Sequence, residues 1–293
     1  MHRLRTRTAI AAFLLPGFIF YVAAVFLPIL GSLALSLFEW DGITDPTFVG
    51  IDNYMEMVTG DTLFWGAFSH TSVYLVVNLA FQLGLGLLLA NLLLSIRRGR
   101  EVFKTLYFLP TIISTVAIAF IFRKAYAIEP PGMLNVLLSA IGLDALAHPW
   151  LSDVDTALFA VSIPEGWRFM GLYMVILYAA LLAVPKEIEE AARMDGASEW
   201  QVFTRVRFPL IRPVWVTTMI MAATYSLRGF DIPYLLTNGG PGHATELLTT
   251  YMYKLGFQNT QFGYASAIAV FIVLECLIAV ALIVRVFRLG DVR

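Results

Sequence analysis

Glu190-Ala191-Ala192-Arg193-Met194-Asp195-Gly196-Ala197-Ser198 lies in a charged interval, residues 185–213, of a sequence that is otherwise strongly apolar. Proline has no N–H to leave unpaired at the first helical position, so Pro185 opens a short helix. Residues 186–194 are mostly good helix formers. Gly196 stops that helix, because a left-handed residue often ends a helix and glycine adopts it without strain. Ser198 then caps a second helix, and Gln201 three residues on completes a capping box. Pro209 ends the second helix. The interval is therefore expected to fold as helix, sharp turn, helix between two hydrophobic spans.

Composition sets the surroundings of that interval. The chain has 293 residues, of which 59% are hydrophobic and 14% charged. Soluble domains carry about 25% charged residues. A membrane-crossing helix needs about 20 apolar residues, so an all-α polytopic membrane protein follows. The formal net charge of −1 argues against a nucleic-acid partner. One cysteine, Cys276 in an apolar run, provides no disulfide framework, and the four scattered histidines form no metal-ligand spacing.

Six spans are read along the chain: residues 9–38, 71–96, 105–122, 157–184, 214–236 and 262–284. The first is too long for a signal-peptide core, and Pro16 and Pro28 bend it or set its ends. Gly84 and Gly86 let a neighbour approach the second. Pro110 lies near the start of the third, and Pro164-Glu165-Gly166 interrupts the fourth. Residues 39–69 are acidic and contain no Lys or Arg, 135–143 form a short apolar piece at the surface, and 237–261 are polar. Asn238-Gly239-Gly240-Pro241-Gly242 is a turn cluster. Fifteen Lys and Arg residues fall at the N-terminus (Arg3, Arg5, Arg7), in the 97–104 loop, in the 185–213 interval and in the tail, against three in the opposite loops. That bias puts both termini and the 185–213 interval in the cytoplasm. Residues 1–70 then form an N-terminal helix with the first external loop, 71–284 a core domain, and 285–293 a cytoplasmic tail.

Catalytic signatures are lacking. The lysines are 104, 124, 186 and 254, and none follows a glycine, so there is no phosphate-binding loop for ATP. There is no nucleophile elbow or paired His/carboxylate motif either. The chain reads as a transport subunit, not an enzyme, with an ion-coupled secondary transporter as the alternative.

Glu190-Ala191-Ala192, Gly196 and Phe208-Pro209 resemble the EAA loop of ABC-importer permeases, with Phe-Pro where the family usually has Leu-Pro. Residues 48–54, 185–190 and 230–241 are similar to stretches of sugar permeases of the maltose and glycerol-phosphate importer type. The resemblance implies a type I ABC importer permease fold in a bacterial or archaeal cytoplasmic membrane. It implies a second homologous permease subunit, a pair of ATPase subunits that bind ATP and magnesium, and an extracytoplasmic solute-binding protein. The 185–213 loop would dock on the ATPase through Glu190, Ala191, Ala192, Asp195, Gly196 and Pro209. The solute would be a sugar, a di- or oligosaccharide in the first instance, with glycerol phosphate left open by the cationic Arg168 and Arg228.

Ionisable groups at membrane depth usually face protein or a water-filled path. Glu165, Trp167 and Arg168 flank the expected helix break, a common place for a binding site. Arg228 and Asp231, three apart on one helix, are spaced so that they could pair. These residues, with Tyr225, Asn78 and Gln82, are the candidates for the solute path. Asn238, Gly239, Gly240 and Pro241 are the candidates for contact with the binding protein.

Overall fold

The computed structural model describes residues 2–96 and 98–287, without the side chains of residues 2–7. Arg97, Arg288 and Arg293, and the side chains of Arg3, Arg5 and Arg7, lie outside the described residues. The described chain is helical apart from one two-stranded ribbon, and it forms two compact units, Met1–Thr62 with Met252–Val273 and Leu63–Tyr251 with Leu274–Arg293.

In the first unit α1 (His2–Tyr21) runs through a π turn into α2 (Leu27–Leu35). The apolar window of residues 8–35 buries nothing inside the protein, which leaves its side chains for lipid. Strands β1 (Phe38–Glu39) and β2 (Thr47–Phe48) pair antiparallel, and α3 (Asp52–Thr59) follows. The Asn53 amide donates to the carbonyls of Ser36 and Phe38 at 2.9 and 3.0 Å.

The second unit is built around α9 (Val154–Leu182), more than half of which is buried. Around it pack α4 (Thr62–Leu79), which continues through a π turn into α5 (Gly86–Ser95), then α6 (Arg100–Ile112), α7 (Thr115–Ala125) and α12 (Phe208–Leu227). Gly171 is the tightest crossing: a Cβ there would stand 1.8 Å from the Tyr107 carbonyl oxygen of α6. At Gly86 a Cβ would meet the Met170 carbonyl at 3.3 Å, while Gly84 has open space.

Among the described residues four helices, or five counting one bent pair, have the length and apolarity of a span, and α12 adds a further twenty-residue helix. Three expectations need correction. The fourth span is not interrupted: α9 runs unbroken through Pro164-Glu165-Gly166. Neighbours clamp it there, with Phe81 against Gly166, where a Cβ would sit 2.8 Å from the ring. The third span is two helices meeting at 98°: α6 runs through Pro110 to Ile112, Ile113 and Ser114 are extended, and Ser114 caps α7, accepting from the Ala117 N–H. Residues 237–261 are not simply a polar loop. Thr245 to Tyr251 are buried and lead into α14 (Leu248–Tyr253). The Thr245 and Thr250 hydroxyls are satisfied locally, Thr250 bonding both the N–H and the carbonyl of Leu247. The short apolar piece is α8 (Met133–Ala140).

Candidate functional site

The charged interval folds largely as its local signals dictate. Pro185 is the N-cap of α10 (Lys186–Met194), Asp195 is its C-cap, and Gly196 takes φ +84°. Ser198 and Gln201 form the capping box of α11 (Glu199–Val202) at 2.8 and 3.3 Å. Pro209 does not end this helix. α11 passes through a π turn, Phe203–Arg207, and on into α12, so Pro209 sits in the first turn of a long helix. A π turn is a one-residue bulge in the i→i−4 ladder, and it stands where the proline would otherwise break that ladder.

Glu190 and Ala191 are exposed, Ala192 is half-buried, and Asp195 is exposed. Neighbouring Glu189 turns inward. Arg207 holds its carboxylate with both ends of the guanidinium fork, at 2.8 and 2.7 Å, and reaches Asn91 of α5 at 3.4 Å. Arg193 bridges Glu189 at 3.1 Å and Glu199 at 2.6 Å. The hydrogen bonds from Arg207 hold the Glu189 carboxyl below the usual carboxylate range, and those from Arg193 do the same for Glu199. Sequence reading missed Glu189 and Arg207. They are eighteen positions apart, so only the folded chain pairs them.

A second feature lies where α12 ends. Arg228 is its C-cap, Gly229 and Phe230 are not helical, and α13 (Asp231–Thr237) begins anew. Arg228 and Asp231 are thus not on one helix, and no ion pair joins them among the described residues. The break is pinned, since a Cβ on Gly229 would stand 2.8 Å from the Tyr74 ring and the Thr249 hydroxyl donates to the Gly229 carbonyl. Glu165, Tyr225, Arg228, Gly229, Phe230 and Asp231 line a cavity of about 170 Å³ there. The Tyr225 ring packs edge-on to Phe169 at 4.5 Å.

The remaining candidates stand outside that lining. Trp167 packs against Phe122 at 5.6 Å in a hydrophobic cluster. Arg168 lies over the Phe169 ring at 4.9 Å, and its carbonyl accepts from Thr111. Asn78 and Gln82 are fully buried in the α4–α5 helix, with Gln82 donating to Asn78 and Asn78 to the Tyr74 carbonyl. At the turn after α13, Asn238 is exposed with φ +48°, Gly239 is buried, and Gly240 and Pro241 are half-buried, fastened by Thr245 through bonds to the Gly239 and Gly240 carbonyls.

Comparison with known proteins identifies the architecture. The family described as "binding-protein-dependent transport system inner membrane component" matches residues 82–288. The probable ABC transporter permease protein YurN of Bacillus subtilis is 36% identical over 281 residues, 95% of each chain. The lactose transport system permease protein LacF of Rhizobium radiobacter is 34% identical over 84% of this chain and 83% of its own. A crystal structure of a bacterial ABC transporter involved in the import of the acidic polysaccharide alginate shares the fold. It matches with TM-score 0.83 and 24% identity, covering 99% of this chain and 98% of that one. The ion-coupled transporter is thereby set aside, and the protein is not an enzyme. A permease fold matched end to end, with a family match across the core, makes this chain a member of the binding-protein-dependent transport system inner membrane components, the permease subunits of ABC importers.

Proposed function

We propose that this permease forms one half of a translocation path for a sugar and takes its drive from a separate ATPase through residues 186–208. The observation that carries the solute reading is the cavity at the α12–α13 break. Its carboxylates accept from hydroxyls, Arg228 donates, and the Tyr225 ring offers a face to the C–H side of a sugar ring. A cavity of about 150 Å³ holds a benzene ring, so this volume is on the scale of a single sugar ring and not of a whole oligosaccharide. Two carboxylates against one guanidinium favour a neutral or hydroxyl-rich solute over glycerol phosphate. The lactose transport system permease among the similar proteins supports the same reading.

The other half of the path comes from a second, homologous permease subunit. ATP and magnesium are bound by a pair of ATPase subunits, not by this chain. The loop around Glu190 meets them on the cytoplasmic side, where the Lys and Arg excess and both termini lie. An extracytoplasmic solute-binding protein delivers the solute and touches the turn at Asn238–Pro241, where Asn238 is the exposed member.

The test has two arms. The tagged chain is purified from its native membrane, and an ATPase subunit is expected with it. Uptake is then measured with a radiolabelled panel of lactose, maltose and glycerol 3-phosphate. A disaccharide is expected to be taken up, and Tyr225→Ala to raise its KM about tenfold, the loss of about 1.4 kcal/mol of ring contact. Preferential uptake of the phosphate ester would overturn the sugar reading. Purification free of any ATPase would overturn the coupling reading.

A further inference from the structure

We propose that Glu189 and Arg207 form the joint that ties the α10 coupling helix to the membrane helices, so that movement of α10 is handed to α5 and α12 as one body. This deepens the coupling role given above and rests on it.

α10 has nine residues and leaves the membrane unit through two short connections, residues 183–185 and 195–198. Two peptide hinges leave a short helix free to tilt. A push on it would then be absorbed at the hinges rather than passed on. Successive helical residues point about 100° apart, so Glu189 and Glu190 serve different sides. Glu190 is exposed, while the Glu189 side chain is only 13% exposed and turns toward the membrane unit.

What Glu189 meets there is built to resist displacement. The Arg207 side chain is 12% exposed and engages both carboxylate oxygens. A planar fork on a carboxylate fixes orientation as well as distance, which a single lysine contact does not. Arg207 is the last residue of the π turn at the head of α12, and its remaining nitrogen reaches Asn91 on α5. Three segments therefore converge on one guanidinium: the coupling helix, the start of α12 and the middle of α5. The Arg193 bridges to Glu189 and Glu199 brace the turn between α10 and α11, in a more exposed position. Such a junction is the contiguous physical link that coupling between distant sites requires.

The test uses the assembled transporter, with its second permease and ATPase subunits, in liposomes. Spin labels are placed at Ile188→Cys on α10 and Val76→Cys on α4, both exposed positions, in a Cys276→Ser background. The distance between them is measured with no nucleotide and after trapping with ATP and vanadate. A single narrow distance, the same in both states, is expected for the otherwise native chain. Glu189→Gln and Arg207→Gln are each expected to broaden it at least twofold in the trapped state, with the ATPase subunits still bound. With Arg193→Gln and Glu199→Gln added so that neither exchanged charge faces a like one, the exchanged pair, Glu189→Arg with Arg207→Glu, is expected to narrow it again, which loss of a merely local packing contact would not allow. If both single variants keep the narrow distance with the ATPase in place, the joint lies elsewhere and the coupling role of the loop stands. If a photo-cross-linker at Glu190 captures no ATPase subunit, the coupling role itself fails and the joint falls with it.

Discussion

Gly171→Ala is the substitution whose outcome the structure determines most sharply. The added methyl would lie 1.8 Å from the Tyr107 carbonyl oxygen, 2.5 Å from its carbon and 2.9 Å from the Phe108 nitrogen. These are backbone atoms of α6, so no side chain can rotate away. Restoring ordinary contact requires α6 and α9 to part by roughly 1.5 Å in an interior packed like a crystal. Overpacking of this kind costs about 1–3 kcal/mol. The hydrogen bond from Thr111 to the Arg168 carbonyl, 2.8 Å long and one turn from the clash, is lost as well, at about 1 kcal/mol. Alanine returns about 1 kcal/mol through its better helix propensity. The net loss is about 1–3 kcal/mol, or roughly 2–5 °C in the melting midpoint for a chain of this size. Thermal unfolding of the purified transporter in detergent reads this directly. Gly31→Ala is the control, because nothing lies within 4 Å of that position, and there the midpoint should hold or rise. A Gly171→Ala midpoint equal to or above the native one would refute the close crossing of α6 and α9 and, with it, the central place given to α9.

Two further outcomes follow from the charged loop. Gly196 has φ +84° and open space around it, so Gly196→Val acts through the backbone alone, at about 1–3 kcal/mol; uptake should fall while ATP hydrolysis continues, Gly196→Asn should be tolerated, and intact transport in the valine variant would remove the coupling assignment. The Glu189 and Glu199 carboxyls titrate below their unfolded values, so the stability they lend is complete above about pH 4.3 and is lost as pH falls through their lower folded values. Hydrogen exchange of residues 186–207 should therefore be flat from pH 8 to 5, after correction for intrinsic rates, and rise only in stronger acid. A loosening near pH 6 that Glu189→Gln abolishes would contradict this.

The legible part of the fold was whatever short-range physics settles. Gly196 had to take a left-handed turn, and Ser198 with Gln201 had to cap a helix, because each involves neighbours within a few residues. The apolar runs had to be membrane helices, because water is no solvent for them. Proline held as punctuation at a helix start, as at Pro185, the N-cap of α10, and failed where it was read as a break or an end. Pro164 lies buried inside a continuous α9, Pro209 follows a π turn that makes room for it, and α6 runs two residues past Pro110.

The site divides in the same way. Sequence marked Glu165, Tyr225, Arg228 and Asp231 as polar groups out of place in apolar runs, since an ionisable side chain at membrane depth stands out by composition alone. It could not say that Glu165 joins three residues sixty positions later around one cavity, nor that Trp167, Asn78 and Gln82 stay out of it. Those facts depend on the crossing of α9 with its neighbours and on the break at Gly229. The pairing of Glu189 with Arg207 is of this second kind. Sequence determined that each carries a charge on a short cytoplasmic-type loop. The tertiary structure alone decided that the two charges meet, because the phase of the π turn and the approach of α5 bring the guanidinium to the carboxylate.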